Sequence, residues 1–414
     1  MPINGTIKLS GDKSISHRAI LLSSIISGES RLKNISNSDD IKSTINCLVK
    51  CGIKISYIDN SLLVTGNTFR NPKNSLDCGN SGTSARLLIG LLSGLGIKAK
   101  IIGDKSLTKR PMRRIIEPLT LMGASIDGGT YLPLSLNTEN PLLPINYSMP
   151  ISSAQVKSCI LFASLCTTGE TKIKELYNSR NHTEIMLKEC GCEIVFDEDI
   201  VIKNPSKKLS PIFMDIPGDS SSAAFMIVLA AMMPDSKLYL KNVVCNQSRI
   251  KYIDLINSIG GDIEIKNKRM AFGEIVGDIL VKYKPLRAIN IKREIIPQII
   301  DEIPILCLLA TQAKGETIFN GIDELRYKES NRVEAIKINL KNMGANILLN
   351  KDKIKINGPN ILYNTSIKTY SDHRIAMTFT IAGLLSGKFN HIDDESCIDT
   401  SFPDFYNVLK EISL

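Results

Sequence analysis

Apolar and polar positions along the chain fall into two helical patterns separated by short strand-like runs, in a repeating order. One helix type closes on the pattern x-Gly-x-x-Ile, which ends a helix and opens a strand five times. The copies are Cys51-Gly52-Ile53-Lys54-Ile55, Met122-Gly123-Ala124-Ser125-Ile126, Cys190-Gly191-Cys192-Glu193-Ile194, Ile259-Gly260-Gly261-Asp262-Ile263 and Met343-Gly344-Ala345-Asn346-Ile347. The interval between them is about 70 residues until the last, longer one, a period that marks an internal repeat. Glycine just past a helix supplies the left-handed cap, and the isoleucine closing each copy is expected to begin a buried strand. A second helix type lies between the copies, with a polar start, an apolar body and a Gly or Asp turn leading into a strand. It is predicted over residues 13–28, 82–96, 152–169, 219–235, 301–315 and 371–387, and residues 402–412 read as a sixth copy of the first type. The strands due after that copy are assigned to residues 1–10, where Ile3, Ile7 and Leu9 alternate with polar residues.

Six α/β units follow, and two globular halves of three units each is the economical arrangement. The predicted domains are residues 1–10 plus 218–414, completed by the N-terminal strand, and an inserted domain over residues 11–217. The repeat also locates chemistry. Twelve residues before the five glycines, at helix starts, stand Asp40, Pro111, Ser179, Ser248 and Arg332. Several of these starts are rich in polar groups: Lys109-Arg110-Pro111, Ser179-Arg180-Asn181-His182 and Lys328-Glu329-Ser330-Asn331-Arg332. Helix starts have unpaired N–H groups and the positive end of the dipole, so they favour anions. Gly11-Asp12-Lys13-Ser14-Ile15-Ser16-His17-Arg18 is such a start, with a lysine and an arginine added. Cys78-Gly79-Asn80-Ser81-Gly82-Thr83-Ser84-Ala85-Arg86 is a glycine-bearing turn that suits close approach of backbone N–H groups to a phosphate. It is not a Walker A loop, because no Gly-Lys-[Ser/Thr] follows at the required spacing. If the helix starts of both halves face an interdomain cleft, their dipoles and basic side chains converge there.

The 414-residue chain is 43% hydrophobic and 22% charged, the composition of a soluble globular protein. Apolar stretches such as residues 225–233 are too short to span a bilayer, and no signal peptide is evident, so a cytoplasmic location is expected. The ten cysteines lack zinc spacing, and several lie in apolar runs as small hydrophobes. The net charge of +9 comes with 5% aromatics, no Trp and scattered lysines. That argues against a nucleic-acid surface, which clusters basic residues and interleaves aromatics. A pocket for a multiply charged anion accounts better for the arginines.

Five motifs, in chain order, resemble those of the EPSP synthases, a family of enolpyruvyl transferases. They are Gly11-Asp12-Lys13-Ser14, Gly79-Asn80-Ser81-Gly82-Thr83, Lys109-Arg110-Pro111-Met112, Arg326-Tyr327-Lys328-Glu329-Ser330-Asn331-Arg332 and Ser371-Asp372-His373-Arg374. The resemblance implies an α/β fold of the inside-out barrel type, with two domains of three repeated units each. It implies transfer of the enolpyruvyl group of phosphoenolpyruvate to the 5-hydroxyl of shikimate 3-phosphate, with release of phosphate, in aromatic amino acid biosynthesis. No metal or organic cofactor is implied, the partners are these two small molecules, and a monomer is expected.

Residue by residue, the resemblance places Lys13 on both substrates and Ser14 and Arg18 at the shikimate carboxylate end. Ser153, Gln155 and Ser179 are placed at the phosphate of shikimate 3-phosphate, with Arg180 as a further ligand and Lys328 on the shikimate side. Asn80, Gly82, Arg110, Gln155, Arg332 and Arg374 are placed around phosphoenolpyruvate, where planar guanidinium groups pair with carboxylate or phosphate. Asp301 is the base toward the 5-hydroxyl, and Glu329 the acid that protonates the methylene carbon. Structural alternatives stand beside these roles. Asp301 is also positioned to cap the helix that follows, and Glu329 and Arg332 to form a surface i,i+3 ion pair on a helix. His373 reads as hydrogen-bonded structure, His17 as flanking the site, His182 as a helix-start residue and His391 as surface. The sequence departs from the family at Thr400, where many members have lysine, at Ala154, where some have serine, and at His182, where some have tyrosine. Glycine at 82 leaves the phosphoenolpyruvate pocket open, which predicts sensitivity to glyphosate, a competitor for that pocket in the family. Alternative readings are a UDP-N-acetylglucosamine enolpyruvyl transferase, disfavoured because residues 104–110 contain no cysteine, and a basic nucleic-acid-binding protein.

Overall fold

The computed structural model of the chain describes residues 2–203 and 208–412. The chain divides into two compact units. One comprises Met1–Ser10, Pro217–Met270 and Ile275–Leu414, and the other Gly11–Ile216 with Ala271–Glu274. The second is called the inserted unit below, and the first the discontinuous unit.

Each unit is built from one repeated motif of strand, inner helix, strand, outer helix and hairpin. In the inserted unit the helices alternate as α1 (Lys13–Ile25), α2 (Asp39–Lys50), α3 (Gly82–Gly94), α4 (Arg113–Leu121), α5 (Ala154–Ser164) and α6 (His182–Glu189). In the discontinuous unit they are α7 (Ser220–Met232), α8 (Lys251–Ser258), the single turn α9 (Ile296–Ile299), α10 (Ile303–Ala310), α11 (Arg332–Asn342), α12 (His373–Leu385) and α13 (Phe405–Ile412). The inner helices start up to two residues later and stop earlier than expected, because the predicted ranges included the capping residue and the closing turn. Among the described residues there are five four-stranded sheets and one two-stranded sheet. The second repeat shows the common order. Leu76–Asp77 pairs parallel with Ala99–Ile102, which pairs antiparallel with Leu134–Leu136, and Ile126–Asp127 lies at the edge.

The five repeated glycines carry positive φ: Gly52 95°, Gly123 95°, Gly191 90°, Gly260 106° and Gly344 90°. Each ends an outer helix as the pattern requires. The strand that follows is an edge strand in all five sheets. Its isoleucine is therefore less enclosed than expected: Ile55 and Ile126 are only half-buried, while Ile194, Ile263 and Ile347 are buried. The N-terminal strand also corrects the sequence reading. Asn4–Lys8 does not complete the sixth repeat but pairs parallel with Lys237–Val244, from Asn4↔Lys237 to Lys8↔Lys241, and so heads the fourth. In exchange Phe213–Asp215, which precedes α7 in the chain, pairs with Gly28–Lys33 and heads the first repeat. The sixth repeat consists of the Ser366–Ile367 and His391–Ile392 pair with α12 and α13.

The inner helices are enclosed on all sides, and every residue of α7 is buried. A helix that is apolar around its full circumference belongs in a core rather than at a surface. In the inserted unit α3 and α5 approach closely because Gly90 and Gly94 face Cys159 and Ala163. A Cβ on Gly90 would lie 2.3 Å from the Cys159 carbonyl oxygen. The charged residues of the inner helices lie within their first two turns, and the polar residues further along are small and buried, such as Ser23, Ser164 and Thr380. The ten cysteines are free thiols, nine of them buried, and burial pushes Cys51 up to about 12, far from a reactive thiolate. No helix of the described residues is long and apolar enough to cross a membrane.

Candidate active site

In the inserted unit, Asp12 caps α1 by accepting from the Ile15 N–H at 2.9 Å. The next residue, Lys13, reaches Asp40 Oδ2 at 2.8 Å, with both side chains only slightly exposed. Arg18, one turn further, is buried. Its Nε donates to Thr183 Oγ1 at 2.7 Å, its Nη1 to the Ser14 carbonyl at 2.9 Å and its Nη2 to Ser158 Oγ at 2.9 Å. The start of α1 is thereby tied to α5 and α6. His17 is fully buried, with Nδ1 2.8 Å from Thr44 Oγ1. Burial, and then the charges of Lys13 and Arg18, hold its pKa well below 6.5, so it is neutral.

Ser81 caps α3, accepting from the Ser84 N–H at 3.1 Å. Around this start the structure gathers Asn80, Gly82, Arg110 and Gln155, all anticipated, and Arg86, which was not. Arg110 Nη2 donates to Asn80 Oδ1 and to Ser106 Oγ, the latter at 3.1 Å, and Asn80 in turn donates to Asp104 Oδ2 at 2.8 Å. Arg86 Nη1 donates to Gln155 Oε1 at 2.6 Å, and Gln155 Nε2 donates to Thr83 Oγ1 at 2.9 Å. Arg86 lies four residues after Gly82 and hence on the same helix face. That spacing was the available signal. Ser153 caps α5, which puts it one residue before Ala154 and two before Gln155. Ser179 lies ahead of α6, where its hydroxyl donates to Glu175 Oε1 at 2.6 Å, and half-buried Arg180 follows it. His182 is neither exposed nor a free helix-start group. It is buried with Nδ1 2.5 Å from Glu274 Oε1.

The discontinuous unit assembles the second group around Arg332, which is 1% exposed. Its Nε donates to Asp372 Oδ2 at 2.8 Å, its Nη1 to Asp301 Oδ1 at 3.4 Å and its Nη2 to Asp372 Oδ1 at 3.2 Å and to Glu329 Oε2. Burial acts to lower the guanidinium pKa, but Asp372, Glu329 and Asp301 together prevail and raise it. Lys328 Nζ also donates to Asp301 Oδ1, at 3.3 Å. Arg374 Nη1 donates to the Asp301 carbonyl at 2.8 Å and lies 3.8 Å from Glu302 Oε1. Asp372 caps α12 by accepting from the Arg374 N–H at 2.9 Å. His373 Nδ1 lies 3.3 Å from Thr400 Oγ1, in agreement with its reading as a hydrogen-bonded residue.

Two of the structural alternatives fall here. Asp301 is not the capping residue of α10, because Glu302 occupies that position. Glu329 and Arg332 are not a surface pair on a helix, since α11 begins at Arg332 and the arginine is buried. The sequence reading missed Asp372 as the main partner of Arg332, and buried Glu302, which accepts from Ser221 Oγ at 2.6 Å. Both depend on pairings distant in the chain. Each unit thus presents fixed cations and hydrogen-bond donors at helix starts, and the discontinuous unit adds carboxylates able to move protons beside them. Among the described residues, no three His, Cys, Asp or Glu side chains are grouped to hold a metal ion.

Comparison with known proteins adds four findings. Residues 1–409 match the family described as EPSP synthase (3-phosphoshikimate 1-carboxyvinyltransferase). A 3-phosphoshikimate 1-carboxyvinyltransferase of Clostridium tetani is 40% identical over 416 residues, covering 99% of this chain and 94% of that protein. Among solved structures, an EPSP synthase from Acinetobacter baumannii superposes with a TM-score of 0.87 at 35% identity, covering 99% of this chain and 96% of the other. The enolpyruvyl transferase NikO from Streptomyces tendae shares the fold, with a TM-score of 0.75 at 16% identity over 100% of this chain and 95% of the other.

Proposed function

The chain belongs to the EPSP synthase family, and on that premise we propose that it transfers the enolpyruvyl group of phosphoenolpyruvate to the 5-hydroxyl of shikimate 3-phosphate. The observation that carries the reading is the match over residues 1–409, and the carboxylate-flanked Arg332 and Arg374 supply the chemistry that such a transfer needs. Asp301 takes the proton of the 5-hydroxyl as the oxygen attacks the enol carbon, and Glu329 delivers a proton to the methylene carbon. The resulting tetrahedral adduct collapses as phosphate leaves with the proton held by Asp301 and Glu329 takes back a methyl proton, so that the carbon–carbon double bond reforms in the enol ether of the product.

Lys13, Asn80, Gly82, Arg110, Gln155, Arg332 and Arg374 are assigned to phosphoenolpyruvate. Lys13, Ser14, Arg18, Ser153, Gln155, Ser179, Arg180, Asp301 and Lys328 are assigned to shikimate 3-phosphate. Thr400 supplies a hydroxyl, not a charge, where many members carry lysine, so the arginines bear more of the anion's charge here. The two compact units are taken as the domains, and a cytoplasmic monomer that glyphosate inhibits in competition with phosphoenolpyruvate completes the reading.

The test is phosphate release from phosphoenolpyruvate with shikimate 3-phosphate or UDP-N-acetylglucosamine as acceptor, and turnover with the first alone is expected. Asp301→Asn or Glu329→Gln should lower kcat by about 10²–10⁴-fold while shikimate 3-phosphate still binds. Near-full turnover by Asp301→Asn would remove it as the base. Light scattering in solution checks the monomer.

A further inference from the structure

Beneath the start of α5 lies a buried charge cluster that none of the assigned roles uses. Lys157 Nζ is 2.7 Å from Glu175 Oε2 and 2.7 Å from Glu184 Oε1, with the lysine and Glu184 side chains 1% exposed and Glu175 8%. Burial disfavours a charged lysine, yet Glu184 and Glu175 hold its pKa above the ordinary value, so the ammonium persists. Lys157 stands two residues after Gln155 and four after the α5 cap Ser153, both assigned to shikimate 3-phosphate. The other oxygen of Glu175 accepts the Ser179 hydroxyl at 2.6 Å, and Glu175 Oε2 also takes the Ser179 N–H at 3.4 Å. The donors of a third residue assigned to that substrate are therefore both turned toward one carboxylate, whose own orientation is set by a buried lysine. Glu184, in contrast, makes no bond to Ser179, and its Oε2 has no hydrogen-bond partner among the described residues.

We propose that Glu175 is a positioning residue for shikimate 3-phosphate: held by Lys157, it fixes Ser179, and with it the turn that receives the substrate's phosphate. The inference rests on the substrate assignment above. A carboxylate locked by a buried ammonium cannot swing aside, so it holds the Ser179 backbone where the phosphate arrives. A charge-assisted hydrogen bond of this kind is worth more than a neutral one. Glu175 is bonded to Lys157 and Ser179 and is assigned no reacting atom, so its loss acts on binding of one substrate, not on the chemical step.

Glu184→Gln is the control, since it removes the same charge from the same lysine and leaves Ser179 untouched. Steady-state kinetics should show Glu175→Gln raising KM for shikimate 3-phosphate about tenfold, the cost of one weakened charge-assisted hydrogen bond. KM for phosphoenolpyruvate should stay within about twofold, and Glu184→Gln should change the ratio of the two KM values far less. In a double-mutant cycle, Glu175→Gln added to Ser179→Ala should cost less than the two single changes summed, because the shorter of the two bonds between them, from the Ser179 hydroxyl, is already lost in Ser179→Ala. Equal effects of Glu175→Gln and Glu184→Gln, or additive effects of Glu175→Gln and Ser179→Ala, overturn the inference while the substrate reading stands. Wild-type turnover that does not require shikimate 3-phosphate overturns both.

Discussion

Replacing Gly82 by alanine tests how tightly the start of α3 is drawn around its arginines. The added Cβ would lie 2.6 Å from Arg86 Nη1 and 3.4 Å from Arg110 Nη1. Arg86 must retreat by about 0.8 Å (from 2.6 to 3.4 Å) to reach ordinary van der Waals contact. An arginine tip can normally do so at little cost. This one donates to Gln155 Oε1 at 2.6 Å and to the Pro111 carbonyl at 3.4 Å, so the retreat disturbs bonds on two neighbouring segments. Losing one hydrogen bond to a charged group is worth about 1.5–3 kcal/mol, which predicts a rise in KM for phosphoenolpyruvate of about tenfold or more. Glyphosate inhibition should weaken at least as much, because the methyl group also enters the space proposed for phosphoenolpyruvate and its competitor. The backbone does not oppose the change, since Gly82 is not among the glycines with positive φ, and alanine favours helix by about 1 kcal/mol. The melting temperature should therefore hold while the kinetics move. The assay is phosphate release against phosphoenolpyruvate concentration, with and without glyphosate, beside a thermal melt. Unchanged KM and unchanged inhibition in a stable Gly82→Ala protein would refute the argument that Gly82 keeps this pocket open.

Further outcomes follow from the same geometry. Asp372→Ala strips a buried carboxylate from Arg332 and the cap from α12, and should cost about 3–5 kcal/mol in urea unfolding; a loss under about 1 kcal/mol would mean that Asp301 and Glu329 suffice. Gly90→Ala drives a methyl against the Cys159 carbonyl and should destabilise by about 1–3 kcal/mol, read as a lower denaturation midpoint with substrate KM values unaffected in the folded fraction. His17 is held neutral in the fold, so as pH falls below about 6.5 the unfolded chain takes up a proton that the native state refuses. Its contribution is intact above that pH and is lost below it by up to about 1.4 kcal/mol per pH unit. Unfolding measured at several pH values between 7.5 and 5 should show a shallower acid-side slope for His17→Asn than for wild type, and equal slopes would count against a buried neutral imidazole.

Local features were legible in the sequence and pairings were not. The helix ends could be read because a glycine with φ near 95° leaves a mark that needs no knowledge of the rest of the fold. The inner helices could be read because a run such as residues 223–232 is apolar on every face. The exchange of leading strands could not: Asn4–Lys8 and Phe213–Asp215 each precede an inner helix and yet join the sheet of another repeat. Nothing in the alternation of Ile3, Ile7 and Leu9 names the strand that will lie beside them. The same division runs through the site. Lys13, Gly82, Arg110, Arg332 and Arg374 stand in recognisable motifs. Asp372 as the partner of Arg332, Glu302 as a buried acceptor, and Glu175 as the anchor of Ser179 acquire meaning only from burial and from neighbours that the fold supplies.

Those partners share a geometric role. Caps such as Ser81 and Asp12 fix each helix start along its own axis, but the proposed substrates would meet groups from several starts at once, so their sideways spacing must be fixed as well. Within the inserted unit, Gln155 and Arg86 join the starts of α5 and α3, and Arg86 reaches on to Pro111 before α4. Within the discontinuous unit, Asp372 caps α12 and grips Arg332 at the start of α11, while Arg374 returns to the carbonyl of Asp301 before α10. A carboxylate that both caps one helix and clamps the arginine of the next cannot be replaced by a better cap. Nor can a lysine restore the pattern at Arg332, because one ammonium does not span Asp372, Asp301 and Glu329 as a planar guanidinium does. Substitution at these cross-links should therefore weaken substrate affinity more than turnover, whereas substitution of the carboxylates proposed to carry protons should lower turnover and leave binding intact.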